Sequence, residues 1–501
     1  MLVDALLDAA QTCPDRTAVA DDRRTLTYKH VAMFARIVRD AVQSQTSAPH
    51  VGVMLPASPA FPGTLFGILW IPRTVVPLNF LLSPAEIADI VRDAGLDLII
   101  STRFFSKIAA ELPARTVFLE DLPLKVQMFL NMLRRTPAPP QVSPDDTAVL
   151  LYTSGTSAKP KGVQLSYRNL RSNCESCIAT ARMESQHSFL NCLPPFHVFG
   201  LTGTTLAPVV LKASVHAIPR FNAVKATQTI ADKRISIFMA IPSMYAAMLR
   251  SKSAAPDALR SLYMAISGGE PLPPTVASGF RDRFDVTLLE GYGLTETSPV
   301  VTMNVPHAHR AGSVGQPIAD VQVKLIDIEQ GHPIWQAARQ ERADTDGSPE
   351  GEIVVRGPNV MKGYYQRPDE TAAVLSPDGW FKTGDIGRFD ADGFLSITGR
   401  KKEMLIVGGE NVFPREIEAV LEDHPAVAEA AVIGAADESR GEVAIAFVTL
   451  KEGRSVTDIE LRQFARDKLA GYKVPRQIRI ETDLPRGPTG KILKRKLRDL
   501  L

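Results

Sequence analysis

The sequence predicts an α/β protein with a large N-terminal domain of layered sheets and helices, a small β subdomain within it, and a small α+β C-terminal domain. Three observations predict this. Short apolar, β-branched runs alternate with helical patterns through the first two-thirds of the chain, as in layered folds with mainly parallel sheets. From about residue 310 the texture changes to glycine-punctuated strands, and after Gly399 it changes again to a compact α+β pattern. The expected domains are 1–399, with the β subdomain at about 310–399, and 400–501.

Residues 51–55, 98–100, 149–152, 235–239 and 264–266 read as buried strands. Residues 83–94 read as a helix, with Ser83 at the N-cap and Pro84 at the first helical position. The most apolar stretch, 61–82, carries Pro62, Pro72, Pro77 and Arg73, which argue for a helix and then a buried strand over a membrane span. The N-terminus lacks a basic region, and Asp4 and Asp8 interrupt its apolar residues, so an amphipathic helix is expected and not a signal peptide. In the β subdomain, 321–326, 352–356 and 394–398 read as strands, and the polar stretch 329–349 as a loop. Beyond it, 415–422 and 458–469 read as helices and 427–433 and 444–450 as strands. The basic run 491–498, taken alone, reads as a solvated face.

Composition narrows the class. At 501 residues two to four domains are expected, and 45% hydrophobic with 22% charged residues suits a soluble globular protein. A net charge of +2 gives no argument for nucleic acid. Four cysteines are no disulfide framework, and Cys174 and Cys177, a C-x-x-C without a second ligand pair, read as structural. A reducing, cytoplasmic setting follows, with peripheral membrane association left open.

Three segments carry chemistry. Thr153-Ser-Gly-Thr-Ser-Ala-Lys-Pro-Lys-Gly162 follows a strand-like run and precedes a helical one. Its hydroxyls, backbone N–H groups and ammonium charge can wrap phosphates, although it lacks the G-K-[ST] of a Walker A loop. On composition alone a polar surface turn is an equal reading. Gly291-Tyr-Gly-Leu-Thr-Glu296, preceded by Ser267-Gly-Gly-Glu270, offers an aromatic face for a flat base and a Thr-Glu pair for a phosphate and Mg²⁺. Trp380-Phe-Lys-Thr-Gly-Asp385 places one aspartate in a tight turn, where it can accept from a ribose diol. Each alone is a common kind of turn.

Together and in this order the segments resemble the adenylate-forming superfamily of acyl- and aryl-CoA synthetases, peptide-synthetase adenylation domains and beetle luciferases. The resemblance runs from about Asp4 to Leu501 and includes Gly399-Arg-Lys-Lys-Glu-Met-Leu-Ile-Val-Gly-Gly-Glu-Asn-Val-Phe-Pro414 and Pro485-Arg-Gly-Pro-Thr-Gly-Lys491. It implies activation of a carboxylic acid by ATP to acyl-AMP, then transfer to CoA after a mobile C-terminal domain rotates. Thr153, Ser154, Gly155, Thr156 and Lys161 would then form the phosphate loop. Tyr292 would stack on adenine beside Gly268 and Gly269, Thr295 would meet the α-phosphate, and Glu296 the Mg²⁺. Asp385 would bind the ribose with Arg400 close by. Lys491 would bridge the carboxylate and the α-phosphate, Lys402 would be the pivot, and Gly408 and Gly409 would line the pantetheine tunnel. A carboxylate attacking a phosphate brings two anions together, so such a site supplies positive charge and alignment.

Two departures stand out: Ala158 where the family's loop usually has glycine, and Ile71-Pro72-Arg73 where it usually has lysine-alanine-glycine. Amino-acid-activating relatives carry an aspartate where this chain has His197, after Phe196, so a free amine in the substrate is not expected. Phe196 and His197 are expected to line the acyl pocket. The wording of 291–304 and 360–369 is most similar to medium- and long-chain fatty acyl-CoA synthetases. Aryl-CoA ligases share much of it, and an acyl-AMP ligase loading a carrier protein's phosphopantetheine is the other alternative.

Overall fold

The computed structural model describes residues 2–123, 138–139, 141–153, 160–251, 254–337, 347–437, 441–486 and 492–501. Two sheets dominate. One runs Gln316–Pro317, Val300–Met303, Leu288–Gly293, Met264–Ser267, Ile237–Ala240, Ser188–Asn191, Ser214–Ala217, Thr17–Ala20, Thr25–Thr27. The other runs Gly363–Tyr364, Lys161–Ser166, Thr147–Thr153, Thr74–Pro77, His50–Met54, Leu98–Ser101, Arg115–Phe118. Both are parallel at their centres and antiparallel toward an edge.

The strands are apolar on both faces because both faces are covered. Phe189, Ile237, Met239, Met264 and Ile266 point into the main core, while Leu190, Phe238, Ala240 and Ala265 pack on the opposite side under helices Ala223–Lys233, Pro242–Arg250 and Pro274–Phe284. Likewise Val149 and Leu151 face the main core, and Leu150 faces helix Pro84–Asp93. Helices Leu2–Thr12, Tyr28–Gln45, Ala60–Leu69 and Tyr167–Thr180 fill the space between the sheets. Layers therefore alternate from helix to sheet to helix to sheet to helix.

The expected strands are present at these places, as are the amphipathic N-terminal helix and the helix-then-strand of the apolar stretch. Ser83 caps its helix in a reciprocal box with Glu86. No helix among the described residues is long and apolar enough to cross a membrane. Cys174, Cys177 and Cys192 are buried, and burial pushes the thiols of Cys177 and Cys192 up to about 12. Arg73 donates to the carbonyls of Ala48 and Thr46, so the unusual Ile71-Pro72-Arg73 ties two turns together ahead of strand Thr74–Pro77.

A smaller sheet, Pro333–Ala337, Gln322–Ile326, Gly351–Arg356, Phe381–Phe389, Leu395–Arg400, forms the β subdomain. Its edge strand corrects the reading of 329–349 as a loop throughout. Residues 333–337 pair with 322–326, and Trp335 stacks on Phe389 with ring centroids 4.2 Å apart. One aromatic contact of that kind holds a strand that polar neighbours conceal in the sequence.

The C-terminal sheet pairs Val427–Asp437 with Gly441–Leu450 and adds Leu405–Val407, Glu410–Val412 and Gln477–Glu481. Helices Pro414–Glu422 and Asp458–Arg466 cover one face through Ile417, Leu421, Leu461 and Ala465. Leu484 and Leu497 cover the other. The basic run is therefore not a solvated face at every position: Leu497 is fully buried, and Lys494 bridges Glu403 at 2.7 Å and Glu418 at 2.8 Å.

Candidate active site

In open parallel sheets ligands bind beyond the carboxyl ends of the strands, and the expected site residues gather there. Ser267 ends one strand and runs into Gly268 and Gly269; Tyr292 lies near the end of its neighbour. Among the described residues the buried hydroxyl of Ser267 has no hydrogen-bond partner at that strand end. In the second sheet, Thr153 ends the strand Thr147–Thr153 and stands opposite Lys161, the first residue of the next. That register brings both ends of the loop 154–160 together. Ser154, Gly155, Thr156 and the atypical Ala158 lie outside the described residues, as does Lys491.

Tyr292, Asp385 and Arg400 meet. The Tyr292 hydroxyl donates to Asp385 Oδ2 at 2.7 Å, and Arg400 Nε lies 2.7 Å from Oδ1. The Asp385 side chain is 3% exposed while that of Arg400 is about half exposed, so the carboxylate is buried and the guanidinium reaches the surface. Burial and the Asp385 charge push the Tyr292 phenol well up, so it stays a donor. A carboxylate accepts up to about four hydrogen bonds, so it can hold several donors at once. Gly293 after Tyr292 is required by a neighbour: a Cβ there would fall 1.9 Å from the Pro299 carbonyl oxygen. The glycine lets that backbone pass beneath the ring's strand.

Glu296 lies in the 3₁₀ turn Thr295–Thr297, and both Thr295 and Glu296 are partly exposed. Its Oε1 accepts from the Tyr364 hydroxyl at 2.8 Å. Lys161 Nζ stands 5.2 Å from the centre of the Tyr364 ring and is ion-paired with Glu370. The sequence offered no reason to single out Tyr364 or Glu370. Tyr364 lies in the segment 360–369, which carried only a likeness of wording, and Glu370 follows it directly.

Among the described residues no three histidine, cysteine or acidic side chains cluster as metal ligands. A protein cage for a metal does not fit here. A single carboxylate such as Glu296, beside hydroxyls, does fit Mg²⁺, which keeps waters and takes substrate phosphates as ligands.

Phe196 is buried against Phe80, with centroids 4.8 Å apart edge to face, and Phe80 stacks on Phe105 at 4.6 Å. His197 is exposed, yet enough protein surrounds it to hold its imidazole below the usual histidine range. Both precede a π-helical stretch, Phe199–Leu206, a geometry frequent at functional sites. Glu290, one residue before the glycine-tyrosine-glycine, was also missed in the sequence. Burial pushes its carboxyl up to about 7, against the N–H of Leu272 and the charge of Arg415 from the C-terminal domain.

Gly408 and Gly409 lie apart from these groups, in the hairpin between Leu405–Val407 and Glu410–Val412. Their φ values of +61° and +87° are those of a two-residue turn with both central residues left-handed, and nothing lies within 4 Å of a Cβ at either. Lys402 sits in the turn Lys401–Glu403 that joins the β subdomain to the C-terminal sheet.

Residues 6–365 match the family described as AMP-binding enzyme, and residues 416–491 match AMP-binding enzyme C-terminal domain. A long-chain-fatty-acid–CoA ligase of Bacillus subtilis is 33% identical over 99% of this chain and 94% of its own length. A feruloyl-CoA synthase of an Amycolatopsis species is 34% identical, covering 98% and 96%. The solved anthranilate CoA ligase AuaEII in complex with anthranoyl-AMP superposes with a TM-score of 0.88 at 28% identity, covering 100% of this chain and 96% of that one.

Proposed function

Because the chain belongs to the AMP-binding enzymes, as an acid–CoA ligase that works through an acyl adenylate, we propose that its acid is a fatty acid and that the motif residues divide the work as follows. The reaction consumes ATP with Mg²⁺ and ends on CoA. Thr153, Ser154, Gly155, Thr156 and Lys161 hold the β- and γ-phosphates. Tyr292 stacks on adenine beside Gly268 and Gly269, and Asp385, steadied by Arg400, takes the ribose hydroxyls. Thr295 meets the α-phosphate, and Glu296 holds Mg²⁺, which neutralises phosphate charge when bound. Lys491 aligns the acid's carboxylate with the α-phosphate and offsets their repulsion. For the second step the C-terminal domain turns about Lys402, and Gly408 and Gly409 line the path of the pantetheine.

The 33% identity to a long-chain-fatty-acid–CoA ligase supports the fatty acid, and the pair Phe196 and His197 argues against an amine-bearing one. A buried phenyl ring and an imidazole held neutral stand where an amine-bearing acid would need a carboxylate. The 34% identity to a feruloyl-CoA synthase favours a second reading, an aryl acid. ATP–pyrophosphate exchange across alkyl acids of graded length and aryl acids separates the two. Exchange should rise with chain length, and exchange with aryl acids alone would overturn the fatty-acid reading. Offering CoA and a holo-carrier protein together tests the acceptor, with acyl-CoA as the expected product.

A further inference from the structure

The segment 361–371 has no part in the assignment above, yet it contacts both Glu296 and Lys161. Its backbone bridges two elements: Met361 N donates to Glu296 O at 2.8 Å, and Tyr365 N to Gly162 O at 2.7 Å. Between them, Gly363–Tyr364 pairs as an edge strand with Lys161–Ser166, with Tyr364 opposite Val163. This fixes the Tyr364 side chain between the turn that carries Glu296 and the strand that carries Lys161. Thr371 Oγ1 accepts the Tyr364 N–H at 2.9 Å and donates to the Arg367 carbonyl at 2.8 Å, closing the segment on itself. Arg367 reaches Asp93 at 2.9 Å, and Asp93 accepts the Tyr152 hydroxyl at 2.6 Å. Glu370 pairs with Lys161. Tyr152 and Lys161 lie on the two paired strands Thr147–Thr153 and Lys161–Ser166, so one segment braces both strands.

We propose that Tyr364 is a positioning residue for nucleotide binding, its hydroxyl aiming the Glu296 carboxylate and its ring seating the Lys161 ammonium. This rests on the roles assigned to Glu296 and Lys161 above. One rigid side chain then sets the distance between the metal-binding carboxylate and the phosphate-binding lysine. Neither group reaches the other directly, and each is a flexible side chain. With only two χ angles, a tyrosine packed at a sheet edge loses little freedom in holding both.

Two variants separate the two contacts. Tyr364→Phe keeps the ring beneath Lys161 and removes the donor to Glu296. Tyr364→Leu removes both. Calorimetric titrations of the full chain use MgATP in one arm and ATP with EDTA in the other. Loss of a hydrogen bond to a charged acceptor predicts MgATP affinity about tenfold lower in Tyr364→Phe. Affinity for metal-free ATP should stay within about twofold of the parent, since the lysine keeps its seat. Tyr364→Leu should lower metal-free ATP affinity as well, by roughly threefold. Equal losses in both arms for Tyr364→Phe would mark a general packing role and overturn the proposal, as would no loss in either arm. Failure of the parent enzyme to exchange pyrophosphate with any acid would count against the activity proposed above, while the binding ratios would still decide the role of Tyr364.

Discussion

Where strand Leu395–Arg400 ends, Tyr292, Asp385 and Arg400 meet within 2.7 Å over a carboxylate that is almost fully buried, and nearby Glu296 is held by a tyrosine hydroxyl at 2.8 Å. Across the junction to the C-terminal sheet the contacts are of another kind. Lys401 reaches the buried Glu352 at 3.0 Å, and Lys494 reaches Glu403 and Glu418. Short, rigid groups fix the first region. Long, flexible ammonium side chains on carboxylates hold the second, and such pairs exchange partners with little rearrangement. One ion pair grips the residue before Lys402 and another grips the residue after it. The difference suits the roles proposed above, a preformed floor for the nucleotide and a C-terminal domain that turns between the two steps.

The sharpest way to break that comparison is at Lys491. Lys491→Ala should lower acyl-AMP formation on the order of a hundred- to a thousandfold, the usual cost of removing a group aimed at developing charge. Thioester formation from supplied acyl-AMP should be spared. Equal loss of both half-reactions would place Lys491 on the fixed side and dissolve the contrast.

Next comes the floor itself. Asp385→Asn leaves Arg400 without its charged partner, although Arg400 is half exposed and water screens part of the loss. The KM for ATP should rise roughly thirtyfold, about 2 kcal/mol, with kcat changing less. An unchanged KM would show that Asp385 is structural and that the ribose is held elsewhere.

How these groups find one another was only partly legible in the sequence. The alternating strands, the Ser83 cap and the motif order were legible, because periodicity and turn residues act locally. The pairing of Asp385 with Arg400 was expected from the resemblance alone, and no local pattern shows it. Strand Leu395–Arg400 returns along Phe381–Phe389, but a bulge between Ile386 and Gly387 slips the register by one residue. Without it Asp385 would stand opposite Gly399, and a one-residue slip turns side chains to the other face. Nor was Tyr364 legible as the partner of Glu296, 68 positions away, since two sheets and a turn set that distance. The edge strand 333–337 was hidden for a similar reason: its stabilising partner, Phe389, is remote in sequence.

Glu290 sharpens the comparison from the side of pH. Its carboxyl, pushed up to about 7 from 4.5, sits where Arg415 of the C-terminal domain approaches the large domain. A raised value means that the folded state binds more protons than the unfolded one. Stability from this group is therefore full below about 4.5 and lost as pH rises through about 7. Glu290→Gln should flatten that slope and leave the protein about 1.5 kcal/mol more stable than the parent at pH 8 in urea denaturation. An unaltered slope would mean that Arg415 already compensates the buried charge.

The smallest effect belongs to the hairpin at Gly408 and Gly409. At φ +87° an alanine in place of Gly409 should cost about 1 kcal/mol of stability whatever lies nearby, since the strain is in the backbone. The space around a Cβ there is empty. If the pantetheine passes this turn, Gly409→Ala should also raise the KM for CoA while acyl-AMP formation holds its rate. If the KM for CoA is unchanged at the reduced stability, the glycine serves the turn alone, and the assignment of the tunnel to this hairpin fails. The two readouts separate because, in the roles proposed above, adenylation would draw on Asp385, Glu296 and Lys491 and not on the turn at residue 409.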